Sequence, residues 1–209
     1  MFRIKQDILL YINIPSYKIK DEFKDKINWT TFSGNTNPIV VKYLLQHPNK
    51  IKWEKFSGNT NPDAVKKILE KILKHPEQID WYSFSRNENI DAVKYLLENP
   101  ERIFWEHFSR NPNPDAVKYL LEHPNNIDWR LFSTNSNPDA VDYMLEHTEE
   151  IWWDWFALNE NPDAVKYLLL NPDKIDLDDL FSQNTDSLNI YLDWLFQDEN
   201  NENYIEIMY

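Results

Sequence analysis

Apolar positions along this chain recur in two alternating words. The first is Ile-x-Trp-x-x-Phe-Ser, whose tryptophan falls at Trp29, Trp53, Trp81, Trp105, Trp129 and Trp153, in steps of 24, 28, 24, 24 and 24 residues. One step further, Leu177 takes the tryptophan slot of a decayed seventh copy. The second word is Asn-Pro-Asp-Ala-Val-Lys-Tyr-Leu-Leu-Glu-His-Pro. Its cleanest copy runs from Asn113 to Pro124, and others begin at Asn37, Asn61, Asn89, Asn137 and Asn161. Self-similarity at a fixed short period is the signature of stacked structural repeats.

Each copy reads as two short helices. In the first, Asp80, Asp128 or Asp176 is placed to cap the free amides of the helix start. Trp and Phe three residues apart, as in Trp129 and Phe132, share one face. In the second, Asn113 is an N-cap, Pro114 suits the first helical position and Asp115 complements the dipole. Ala116, Val117, Leu120 and Leu121 form the apolar stripe, with Tyr119 beside it. His123 ends the helix and Pro124 discourages its continuation. The second copy carries four extra residues within Lys67 to Lys74. Four residues are about one helical turn, so the insertion predicts a longer second helix in nearly the same apolar phase, and a local bump.

Helices of this length are not stable alone in water, so the stripes must be covered by neighbouring copies. The pattern therefore predicts an all-α fold: a short α-solenoid of about seven helix-turn-helix repeats. Residues 1–26 read as an N-terminal cap, 27–185 as the repeats, and 186–209 as a C-terminal cap and tail.

Composition narrows the function classes. Only two glycines occur, which argues against tight-turned β folds and phosphate loops. With no cysteine, a disulfide framework, thiolate-bound zinc and cysteine nucleophiles are excluded. No secretory signal and no run of about 20 apolar residues is present. The formal net charge of −13 disfavours direct nucleic-acid binding, which calls for a basic face. The expectation is an intracellular protein of the cytoplasm, of a viral factory in a host cell, or of a virion, neither secreted nor membrane-embedded.

The period is too short for tetratricopeptide or ankyrin repeats, and the Leu-x-x-Leu-x-Leu of leucine-rich repeats is missing. The string Ile-Asp-Trp-x-x-Phe-Ser-x-Asn-x-Asn-Pro-Asp-Ala-Val-Lys-Tyr-Leu-Leu-Glu resembles the 24-residue repeats of proteins from giant, mimivirus-like DNA viruses. The resemblance covers residues 27–185. It implies a helical-repeat fold and a viral origin, and it carries over no activity and no site residue.

Candidate chemistry is sparse. His47, His75, His123 and His147 are regularly spaced, yet all occupy one repeat slot, which Asn99 and Asn171 fill in other copies. That slot reads as a helix end, not a metal site. The recurring Ser-x-Asn-x-Asn, as in Ser109, Asn111 and Asn113, reads as loop and cap structure and not as a ligand groove. The acidic residues form no persuasive catalytic pair. The expectation is a protein that is not an enzyme and takes no cofactor or metal.

Positions that break the repeat are more informative. Phe104 and Trp152 stand where other copies hold Asp, Asn or Lys. Leu131 and Trp155 fall in the variable pair after the repeat tryptophan. Leu158 follows the serine slot, Leu170 replaces Glu or Gln, and Asp142 interrupts a row of lysines. These seven are the candidate partner-binding residues, since exposed aromatic and apolar groups serve as interface anchors. The expected function is a repeat scaffold that binds protein partners. The alternatives are a self-associating structural or virion component, and an acidic decoy for a basic nucleic-acid-binding protein.

Overall fold

In the computed structural model, residues 19–20 and 25–174 are described. The C-terminal cap at 186–209, the copy at Leu177 and almost all of the N-terminal cap lie outside the described residues. The chain divides into two compact units, Met1–Asp80 and Trp81–Tyr209.

The first unit holds α1 (Trp29–Ser33), α2 (Pro38–Gln46), α3 (Trp53–Phe56) and α4 (Pro62–Ile72). The second holds α5 (Trp81–Ser85), α6 (Ile90–Glu98), α7 (Trp105–Ser109) and α8 (Pro114–Glu122). It continues with α9 (Trp129–Phe132), α10 (Pro138–Glu146), α11 (Trp153–Phe156) and α12 (Pro162–Leu170). No strand occurs among the described residues. The protein is an all-α repeat structure, stacked as a short solenoid within each unit.

The second helices start as their sequence dictates. Asn113 Oδ1 accepts from the Asp115 amide at 2.9 Å, with Pro114 at the first helical position. The same cap recurs at Asn37, Asn61, Asn89, Asn137 and Asn161. The first helices are capped less evenly: Asn28 and Asp128 cap theirs, whereas Lys52, Phe104 and Trp152 provide no side-chain cap.

Each described copy has a third element that the repeat words do not predict. In five of the six the proline expected only to stop the second helix opens a 3-10 turn, as in Pro124–Asn126, closed by the Ile127 amide donating to the Pro124 carbonyl at 3.1 Å, and in the other Thr148 opens it. A fixed φ suits proline to such a turn. The isoleucine that follows is extended and buried at Ile51, Ile79, Ile103, Ile127 and Ile151. The insertion also differs from expectation. Helix α4 has 11 residues against 9 for its counterparts, so it gains two residues and not a full turn. The remainder forms a hydrogen-bonded turn that leaves Leu73 exposed.

Packing follows the repeat. In the first unit α1 lies against α3 and α2 against α4. In the second, α5 meets α7 and α7 meets α9, while α6, α8, α10 and α12 form a parallel row. Inward residues of the second helices, such as Ala116, Val117 and Leu120, are fully buried, as are Phe56, Phe84, Phe108, Phe132 and Phe156. Burying one such side chain contributes about 1.5–3 kcal/mol. The tryptophans are half-buried. Each packs edge-on against its phenylalanine, with Trp105 and Phe108 centroids 6.0 Å apart, and most stack on the tyrosine of the second helix, as Trp105 does on Tyr119 at 5.9 Å.

Candidate functional site

A binding surface has to be separated from the polar groups that the fold itself consumes. The Ser-x-Asn-x-Asn motif belongs to the fold. Asn135 Nδ2 donates to the Ser109 and Asn111 carbonyls of the preceding copy at 2.9 and 3.0 Å, and its Oδ1 accepts from the Asn137 amide. Asn137 Nδ2 donates to the Pro112 carbonyl. Ser109 Oγ donates to the Trp105 carbonyl and accepts from the Asp128 amide. Four hydrogen bonds thus join this copy to the one before it. The same four join the copies of Trp29 and Trp53, of Trp81 and Trp105, and of Trp129 and Trp153. These buried asparagines form a ladder whose side-chain amides are engaged between copies and are not offered to a ligand.

The histidine slot is likewise absorbed. Nδ1 of His47, His123 and His147 meets the carbonyl of Tyr43, Tyr119 and Tyr143 at 2.8–2.9 Å, so in each it is the protonated nitrogen. His47 stacks on Tyr43 and His123 on Tyr119, each at 4.2 Å. Asn99 and Asn171 donate to the equivalent carbonyls, which explains why Asn and His alternate there. His75, beyond the longer helix, meets Glu77 instead. Among the described residues no three His, Asp or Glu gather as metal ligands.

The seven candidate residues separate into distinct places. Phe104 and Trp152 occupy the N-cap slot of their first helices and are 50% and 55% exposed. Asp142 and Leu170 are exposed on α10 and α12, Leu158 is half-buried on a loop, and Trp155 is half-buried. Leu131 is only 6% exposed, so it is not part of an exposed patch. The reason is stacking. The second position of one first helix reaches the third position of the next: Tyr82 covers His107 with ring centroids 3.4 Å apart, and Arg130 lies 5.2 Å over the Trp155 ring. Arg130 also pairs with Glu106 at 2.9 Å. The third position is therefore sheltered in this unit. The sequence reading passed over Tyr82, which is 47% exposed and sits edge-on to Phe104 at 6.2 Å.

A second surface was also passed over, apart from Leu158. Two variable columns flank the inner asparagines on the loop side of the second unit, and they enclose a groove of about 190 Å³. One column is Arg86, Arg110, Thr134 and Leu158; the other is Glu88, Pro112, Ser136 and Glu160. Four successive copies contribute to this one groove. Burial in the groove holds the Arg110 guanidinium below the ordinary arginine value, and nearby Arg86 adds to that, while Glu160 opposes it. Arginine remains fully charged at neutral pH even so. The signal for this surface was present in the sequence: the residue after the serine changes from Gly34 and Gly58 to Arg86 and Arg110 while its neighbours stay constant.

No protein-family model, curated protein or solved structure matches the chain. No helix among the described residues is long and apolar enough to cross a membrane.

Proposed function

We propose that this chain is a non-catalytic repeat scaffold that binds protein partners, with Phe104 and Trp152 among its anchoring side chains. One observation carries this reading. Both residues fill a capping slot in which Asp128 and Asn28 satisfy helix amides, and neither can do so. A missing cap costs about 1 kcal/mol. Each ring is also left half in water, where it contributes little to folding. Local stability therefore disfavours an aromatic at these two positions, and such departures from local consistency are expected where function makes its own demand. Large, stiff aromatic groups are the preferred anchors of protein interfaces.

Affinity purification with the intact chain and with a Phe104→Asp/Trp152→Asp variant tests the proposal. The variant should be at least as stable as the parent and should lose a partner that the intact chain retains. A partner set unchanged by the double substitution would sink the assignment of these anchors. Loss of concentration-dependent oligomers in the variant would assign the anchors to contact with a second copy, in keeping with a structural component.

A further inference from the structure

The groove of the second unit has a chemistry of its own. Arg86 and Arg110 stand in the same slot of adjacent copies, and both line it. Elsewhere in this unit arginines are engaged: Arg130 pairs with Glu106, and Arg102 lies 5.0 Å over the Trp81 ring. Among the described residues, the guanidiniums of Arg86 and Arg110 have neither an ion pair nor a ring against them. Arg86 and Arg110 are exposed, and like charges held side by side repel; an oxyanion placed between them turns that repulsion into attraction.

Size limits what can enter. Sites for drug-sized ligands run from about 300 to 1,000 Å³. A groove of about 190 Å³ lies below that range, which suits one or two side chains better than a nucleotide or a cofactor. Charge limits it further. Glu88 and Glu160 line the same groove. The whole chain carries −13, so a run of acidic residues would be repelled.

We infer that the groove receives a single acidic side chain from an extended segment of a protein partner, its carboxylate bridging Arg86 and Arg110 while neutral or basic neighbours face Glu88 and Glu160. The inference rests on the reading of this chain as an interaction scaffold. Guanidinium forks match carboxylates in two-point contacts, so the pair supplies geometry as well as charge. Pro112 and Leu158 give the groove its apolar wall, and Ser136 is half-buried within it.

The test pans a random-peptide phage library against the full chain and titrates synthetic copies of recovered peptides by calorimetry. The peptides should share one Asp or Glu in an otherwise neutral or basic sequence. Replacing that residue by its amide should weaken binding by about tenfold or more. Arg86→Gln/Arg110→Gln should weaken the acidic peptide equally and leave the amide peptide unaffected, a non-additive cycle. Because one arm of the cycle alters only the peptide, it does not depend on the folding of a variant. An additive cycle, peptides without a shared acid, or no recovered peptide overturns the inference. Peptides lost with Trp152→Asp but indifferent to both arginines overturn it while leaving the scaffold reading intact.

Discussion

The two units share one interior and differ in what they show to solvent. In the first, the ladder joins Ser33, Asn35, Asn59 and Asn61 as it joins their counterparts in the second. The outer slots diverge. The residue before the first helix is Asn28 or Lys52 for the helices of one unit, and Asp80, Phe104, Asp128 or Trp152 for those of the other. The third helix position is exposed at Thr31 and Lys55, but buried at His107 and Leu131. The loop slot is Gly34 and Gly58 against Arg86 and Arg110. The repeat thus separates two tasks. Stacking is carried by side chains that barely vary, and surface character is carried by side chains whose variation costs the stack little.

That contrast can be broken or sharpened by substitution. The largest effect belongs to the shared core. Phe132→Ala and Phe56→Ala each remove a fully buried ring and should each cost about 3–5 kcal/mol in urea unfolding. A much smaller loss in one unit would show that the interiors are not equivalent. Next comes the ladder. Asn135→Ala strands the Ser109 and Asn111 carbonyls, and Asn59→Ala strands those of Ser33 and Asn35. Each should cost about 2–4 kcal/mol, from two acceptors left without donors and the Asn137 or Asn61 amide left without its acceptor.

The outer slots should behave otherwise. Trp152→Asp and Lys52→Asp both introduce a cap where none exists, and thermal melts should show a gain of up to about 1 kcal/mol for each. Only the first should also abolish partner binding. Smallest is Gly34→Ala. The glycine has φ −80° and ψ −7°, which any residue adopts, and an added Cβ would meet the Thr31 carbonyl oxygen at an ordinary 3.7 Å. Restricting the unfolded chain there should raise stability by about 0.4–1 kcal/mol. A loss instead would mean that the first unit's bare loop is a requirement of its fold.

Much of this architecture was legible in the sequence, for a physical reason. A repeat states its own boundaries, and Asn-Pro-Asp before an apolar stripe is a helix start by capping, fixed φ and dipole together. The serine and asparagine motif was rightly read as structure, although its role across copies is invisible in one copy: Asn135 bonds to residues 24 and 26 positions away. Leu131 shows where one-dimensional reading fails. At about 100° per residue, the second and third positions of a first helix lie equally far, roughly 130°, from the middle of the Trp–Phe face. A helical wheel cannot say which is covered. The neighbouring copy decides it, by laying Tyr82 on His107 and Arg130 on Trp155. The arginine groove is not legible in one copy because its residues are separated by whole copies and come together only when the copies stack.

The ladder has a consequence for how such a chain changes length. At each of the four joints named above the rung uses the same atoms at the same offsets, so such a rung does not record which copy it belongs to. Excising residues 105–128 would bring Asn135 opposite Ser85 and Asn87, whose carbonyls now serve Asn111 in the same way. The splice would re-form each bond of the ladder, while the Leu131 amide would lose the Asp128 cap. Unequal recombination within the gene would therefore yield shorter or longer chains that still fold. Each would carry a new sequence of outer residues on an old spine.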